Sequence, residues 1–140
     1  MQTLMTLGEA EAKLAVDAAV TELNRRGKAA TVAVGDSHGE LIALYRMDGA
    51  NLPSIVIAQN KVYTAARLRG FSGEIGRATF ADNALMSYHG DDRYVGWDGG
   101  VPVVIDGTCV GAVAVSGLAG EEDLAIAEMA VSAIVAELIP

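Results

Sequence analysis

The run Arg46-Met47-Asp48-Gly49-Ala50 and the residues Lys61, Tyr63 and Thr64 put charged and hydroxyl groups into an otherwise apolar stretch. Lys61 and Thr64 are three apart, so on a helix they share a face and present an ammonium there. Arg46 offers a planar fork that holds a carboxylate through two hydrogen bonds. Together these groups suit the anchoring of a small anion. They also admit a scaffold reading, in which Arg46 and Asp48 pair within a turn and Lys61 bridges to Asp36, ordering a hairpin against the next helix. A second concentration lies at Tyr88, His89, Asp91, Arg93, Tyr94 and Trp97, which bring acid-base groups and aromatic walls within ten residues of a chain poor in aromatics. That mixture suits a pocket for a small planar or carboxylated ligand. The imidazole of His89 is available to ligate iron or to move a proton, and Asp36 is a second acid-base candidate. Plain exposure is the alternative for His89, as it is for His38 in the turn Ser37-His38-Gly39.

Other chemistries lack their signatures. There is no phosphate loop ending in Gly-Lys-Ser or Gly-Lys-Thr, no nucleophile elbow, no paired-cysteine zinc spacing and no His-Glu-x-x-His. The glycine-rich pieces VGWDGG and VSGLAG lack the strand-turn-helix pattern with a downstream ribose acid, so they read as turns and close-packing sites. Cys109 has no partner for a disulfide and sits in VVIDGTCVGAVAVSG, where it reads as a small buried hydrophobe rather than a catalytic thiolate.

The elements that must carry these residues follow from periodicity. Thr6 and Glu9 form a capping-box pattern ahead of apolar residues at helical spacing, predicting a first helix over 6–26 that stops at Gly27. ATVAVGD and ELIALYR alternate with period two around SHG, predicting a hairpin over 30–46 with Asp36 at the end of its first strand. A second helix is expected over 53–68 and a short helical turn near Ser72–Ile75, whereas 79–92 shows no sustained period. A strand meander is expected over 94–116, turning at Asp106-Gly107. Acids at 121–123 then open a last helix running to Pro140, apolar on more faces than one sheet can cover. The order predicts an α+β fold, an antiparallel sheet flanked by helices, in a single domain over 1–140.

Composition agrees. Of 140 residues, 51% are hydrophobic and 20% charged, which excludes a disordered polar chain. Ala and Val rather than aromatics supply the apolar share, so part of the burial is expected between subunits of a homo-oligomer. Ten basic against eighteen acidic residues give a formal charge of −8, the wrong sign for nucleic acid. Residues 91–140 hold one basic group, Arg93, against nine acids, an acidic third that could meet another protein. No stretch reads as a membrane span or a leader, so no membrane partner and a cytoplasmic location are expected.

Over most of its length the chain resembles the GlcG/HbpS-like family, which includes the C-terminal domain of PduO-type proteins. The resemblance rests on VAVGDSHGELIALYRMDGANLPSIVIAQNKVYTA and on GGVPVVIDGTCVGAVAVSGLAGEEDLAIA. It implies a profilin-like or PAS-like layer of antiparallel strands with helices, assembled as a homo-oligomer from dimer to octamer, with a ligand pocket near subunit interfaces and haem as the candidate cofactor. In PduO-type domains the iron ligand is a His in the N-terminal region. No His precedes His38 here, which leaves His89, His38, Tyr88 or a Met as ligands. The segment SYHGDDRYVGWDGG departs from the family pattern ahead of the paired glycines. The ligand-binding candidates are then Arg46, Asp48, Lys61, Tyr63, Tyr88, Arg93, Trp97, Gly99 and Gly100. The two functional expectations are a small-ligand-binding protein, for haem or another planar or carboxylated compound, and a cofactor-free isomerase, lyase or hydrolase. In the second, Arg46 or Lys61 anchors a carboxylated substrate and His89 or Asp36 moves the proton.

Overall fold

The alternation in the strands sorts the sheet into two chemically different faces. A computed structural model describes residues 1–139. The elements are α1 Glu9–Arg25, β1 Thr31–Gly35, β2 Leu41–Arg46, α2 Ser54–Leu68, α3 Ser72–Ala81, β3 Gly100–Ile105, β4 Thr108–Ser116 and α4 Gly120–Leu138, with a single 3₁₀ turn at Met86–His89. The four strands form one antiparallel sheet in the order β2-β1-β4-β3, as the α+β expectation requires. The predicted end of the last helix at Pro140 lies outside the described residues.

Successive strand residues point to opposite faces. Val32 sits opposite Val115 and Val34 opposite Val113, while Ala33 sits opposite Ala114. The valines, with Val101 and Val103, face α1 and α4 and pack on Leu23, Ile126 and Ile134. The alanines Ala33, Ala112 and Ala114 face α2 and meet Ala58, Val62, Ala65 and Ala66. Small side chains on both sides of that second interface let α2 lie close to the sheet. An extra β4 residue between Gly111, opposite Val103, and Cys109, opposite Val104, turns Val110 into the valine-side core.

Three boundaries differ from expectation. Thr6 does not cap α1; its Oγ1 accepts the Ser37 N–H at 2.9 Å, and the Leu7 N–H reaches the Val110 carbonyl, laying residues 6–7 against the sheet. The helix starts after Gly8, whose N–H donates to Glu11 Oε2 at 2.8 Å. Residues 94–99 are a loop rather than strand, because they cross from α3 to the sheet before pairing begins at Gly100. And α3 is a full helix of 10 residues rather than a short turn. Its buried face is Ser72, Gly73, Gly76 and Thr79, so no large apolar residue marks its period. Gly76 lies directly against the Gly96 backbone, an approach that any side chain would block.

Candidate functional site

The small-residue face of the sheet positions the most unusual group in the molecule. Along α2, Ser54, Ala58, Lys61, Val62 and Ala65 are buried. Ser54 Oγ bonds Thr31 Oγ1 at 2.8 Å, fixing the start of the helix on β1. Two turns further on, Lys61 is 2% exposed. Its Nζ donates to the Val115 carbonyl at 2.9 Å and to Asp123 Oδ2 at 3.1 Å. Asp123, equally buried in the first turn of α4, also accepts the Leu118 N–H through Oδ1 at 3.1 Å. Burial pushes the Lys61 ammonium below the ordinary lysine range and the Asp123 carboxyl above the ordinary aspartate range. Low-dielectric surroundings disfavour the charged form of each, and the partner's opposite charge offsets part of that penalty.

Lys61 and Asp123 line a cavity of about 390 Å³ with Asn51, Ile57, Trp97, Asp98 and Ser116 among its walls. Gly99 has φ of +121°, and a Cβ there would lie 2.5 Å from the Val115 carbonyl oxygen, 2.7 Å from Lys61 Nζ and 3.0 Å from Asp123 Cβ. Glycine is therefore required there, its backbone lying directly against the amine and its two partners. Gly100 is as tightly placed, with a Cβ position 2.6 Å from the Lys61 carbonyl oxygen. Ser72 Oγ donates to the Trp97 carbonyl at 2.6 Å and accepts the Gly100 N–H at 2.9 Å, and Arg77 Nη1 is 3.1 Å from both Asp98 oxygens. These bonds hold the Trp97–Gly100 segment, while the indole itself stays largely exposed.

Trp97 and Asp98 also border a second hollow of about 560 Å³, whose walls include Arg77, Phe80, Met86 and Tyr94. The two hollows thus share a wall, one with a buried ion pair and the other largely apolar.

Of the sequence candidates, Lys61 and Trp97 come together at the cavity, and Gly99 and Gly100 pack against Lys61 beside it. Tyr63 and Arg93 belong to a separate cluster. Tyr63 donates to Asp91 Oδ2 at 2.5 Å and accepts from Arg93 Nη2 at 2.9 Å, with the Arg93 guanidinium 3.9 Å above its ring. Burial, then the bond to Asp91 and the neighbouring Tyr94, push the Tyr63 phenol up to about 12. With Arg67 Nε on Tyr94 Oη at 3.0 Å and the Val95 N–H on Thr64 Oγ1 at 2.9 Å, this cluster fastens residues 91–95 to α2. His89 is exposed, its Nε2 2.9 Å from Thr79 Oγ1 and its ring edge-on to Tyr94, and Tyr88 projects from the surface. Arg46 and Asp48 are exposed where β2 ends, and among the described residues neither is in an ion pair.

The scaffold reading needs correction. Lys61 pairs with Asp123, not Asp36, because Asp36 lies at the far end of β1 and its Oδ1 is taken by the N–H groups of His38 and Glu40 at 2.9 and 3.0 Å. Asp123, Asp98, Asn51 and Ser116 are site residues that sequence reasoning did not select. Asp123 reads in sequence as a helix-start acid, and only the register of β4 against α2 brings it under Lys61. Cys109 is half-buried with Sγ toward the Ala66 and Gly111 carbonyls, consistent with a packing role. Among the described residues no cluster of three His, Cys, Asp or Glu side chains could hold a metal ion, and no helix is long and apolar enough to cross a membrane.

Residues 7–132 match the family model described as haem degrading protein HbpS-like. An uncharacterized 15.0 kDa protein of the dhaT-dhaS intergenic region in Citrobacter freundii is 36% identical over 134 residues, covering 92% of each chain. Among solved structures, protein ORFY of Klebsiella pneumoniae superimposes with a TM-score of 0.90 at 28% identity, covering 97% of this chain and 95% of that one. A PduOC:heme complex superimposes with a TM-score of 0.82 at 26% identity, covering 91% and 94%.

Proposed function

Because the chain belongs to the HbpS-like family, we propose that it binds a small planar or carboxylated ligand at the hollows on the Trp97–Asp98 wall. The observation that carries this reading is the pairing itself, an apolar hollow and a cavity with a buried cation bordered by one exposed aromatic. Ligand sites combine apolar walls with a few convergent polar groups in this way. On the apolar side Phe80, Met86, Tyr94 and Trp97 suit a flat ring system and Arg77 suits an acid substituent. On the other side Lys61 supplies the positive charge.

Haem is the specific ligand this reading favours, since a related fold is known as a heme complex. Phe80, Met86, Tyr94 and Trp97 would face the porphyrin plate and Arg77 would pair with one propionate. For the iron, Met86 is the soft donor lining the hollow, and His89, outside that lining, has its ring edge-on to Tyr94, which is part of it. Haem, when bound, would supply iron-centred redox chemistry, and this chain's residues would seat the plate and shield one face from water. Hemin titration of the purified protein should give a saturable Soret band that shifts in Met86→Ala or His89→Ala. Absence of any saturable band at micromolar protein rules haem out and leaves the other planar or carboxylated ligands.

Turnover of a small carboxylated metabolite without a cofactor, by an isomerase, lyase or hydrolase, is the second reading. It is favoured by the Lys61–Asp123 pair, two titratable groups buried in a cavity wall. We also propose a homo-oligomer, between dimer and octamer. The edge strand β2 presents Leu41, Leu44 and Tyr45 to solvent, apolar surface of the kind subunit contacts cover.

A further inference from the structure

We infer that Lys61 is a nucleophile that captures the carbonyl carbon of a small aldehyde or 2-oxo acid as an imine. This rests on the reading that the Lys61 cavity admits a small ligand, and adds a covalent step to it. The geometry begins at the amine. Lys61 Nζ has two hydrogen-bond partners, the Val115 carbonyl and Asp123. The ammonium carries three hydrogens and two of them meet these partners; once the proton on the Asp123 bond has passed to the carboxylate, a turn about Cε–Nζ brings the resulting lone pair to the third, unpartnered direction. Lys61 borders the cavity, while the Gly99 backbone packs on the amine so closely that a Cβ there would lie 2.7 Å from Nζ. The cavity is thus the approach to an amine that is otherwise almost wholly enclosed. Desolvation of a lysine favours its neutral, nucleophilic form. Asp123, 3.1 Å away, is placed to take the proton.

The step balances as follows. The Lys61 ammonium passes a proton to Asp123. The amine lone pair forms an N–C bond to the carbonyl carbon while the C–O π pair moves to oxygen, and one amine proton moves to that oxygen to give a carbinolamine. Asp123 returns its proton to the hydroxyl, the C–O bond breaks, and water leaves as the nitrogen lone pair closes the C=N bond. The products are a protonated imine on Lys61, an ionised Asp123 and one water. No oxidant or reductant is needed. The iminium keeps the positive charge of the ammonium, so a carboxylate next to the carbonyl retains a cation beside it.

The experiment uses glyoxylate with the full chain at neutral pH, reduction by cyanoborohydride, and peptide mapping of the product. Besides Lys61, the chain has only Lys13 and Lys28, and Lys13 is fully solvated beside Asp17. Each unit by which an amine's pKa falls raises its neutral fraction about tenfold at neutral pH. The expected result is one carboxymethyl group on Lys61, at least about tenfold over that on Lys13 or Lys28, and slowed in Asp123→Asn. The mapping is done on the wild-type chain, so it does not depend on a variant that folds. Trp97, the sole tryptophan, reports binding in parallel, with glycolate as the carboxylate that lacks a carbonyl. Saturable quenching by both acids with no preferential label on Lys61 overturns the imine and leaves ligand binding standing. Neither quenching nor label overturns both.

Discussion

At the scale of single residues the decisive interaction is the buried Lys61–Asp123 pair, whose value lies in completeness. Removing one partner leaves an uncompensated charge away from water, which costs about 3–5 kcal/mol. Asp123→Ala should therefore lower the urea-unfolding free energy by about that amount, whereas Lys61→Met combined with Asp123→Leu should recover most of the loss. A different carboxylate contributes to the acid limb of stability. Glu22, held by Arg25 and Arg26, has its pKa lowered to about 2 from 4.5. A depressed carboxylate stabilises the fold above its unfolded pKa and loses that contribution as pH falls through the folded value. Urea midpoints of wild type and Glu22→Gln should thus differ at pH 6 and converge toward about pH 2. Lys61 was legible in the sequence as a cation among apolar residues at a helical spacing. Its partner was not, since 62 positions separate the two and three acids at 121–123 read alike.

Elements were legible wherever apolar side chains, large or small, recur on the buried face at the element's own period. The hairpin, α2 and α4 follow from their periods nearly to the residue, while α3 escaped because its contact face is Ser, Gly, Gly and Thr. That explanation is testable. Gly76→Val should drive α3 away from Gly96, cost about 1–3 kcal/mol as overpacking does, and shift the emission of Trp97, which follows Gly96 in the same loop. The end of α2 offers the opposite change. Arg69 takes the left-handed position at φ of 57° that caps the helix, with its N–H on the Ala65 carbonyl. Arg69→Gly should raise stability by up to about 1 kcal/mol in thermal or urea unfolding, because glycine adopts that conformation without a Cβ clash.

For the whole molecule, layer order and class could be read from pattern alone, but the meeting of distant segments could not. Two concentrations stand out in the sequence, the polar residues around the end of the hairpin and the aromatic loop. Asn51, Lys61 and Trp97 meet at one cavity, while Arg46 and Asp48 stay outside and Tyr63 and Arg93 fasten the loop instead. Spacing along a chain says which groups share an element face; register across the sheet decides which faces meet. The apolar edge of β2 belongs to this scale as well. Native mass spectrometry should find a dimer or larger species, and Leu44→Lys with Tyr45→Lys should shift it toward the single chain by at least about tenfold in dissociation constant if that edge is the contact.

The alanine layer between α2 and the sheet acts as a spacer gauge. Since Ala33, Ala112 and Ala114 set how deep the helix rides, and the amine rides on that helix, methyl-sized edits far from any ligand would raise or lower the reactive nitrogen relative to the cavity it borders. Tuning such a protein is then a matter of shimming its foundations, leaving the cavity's other walls untouched.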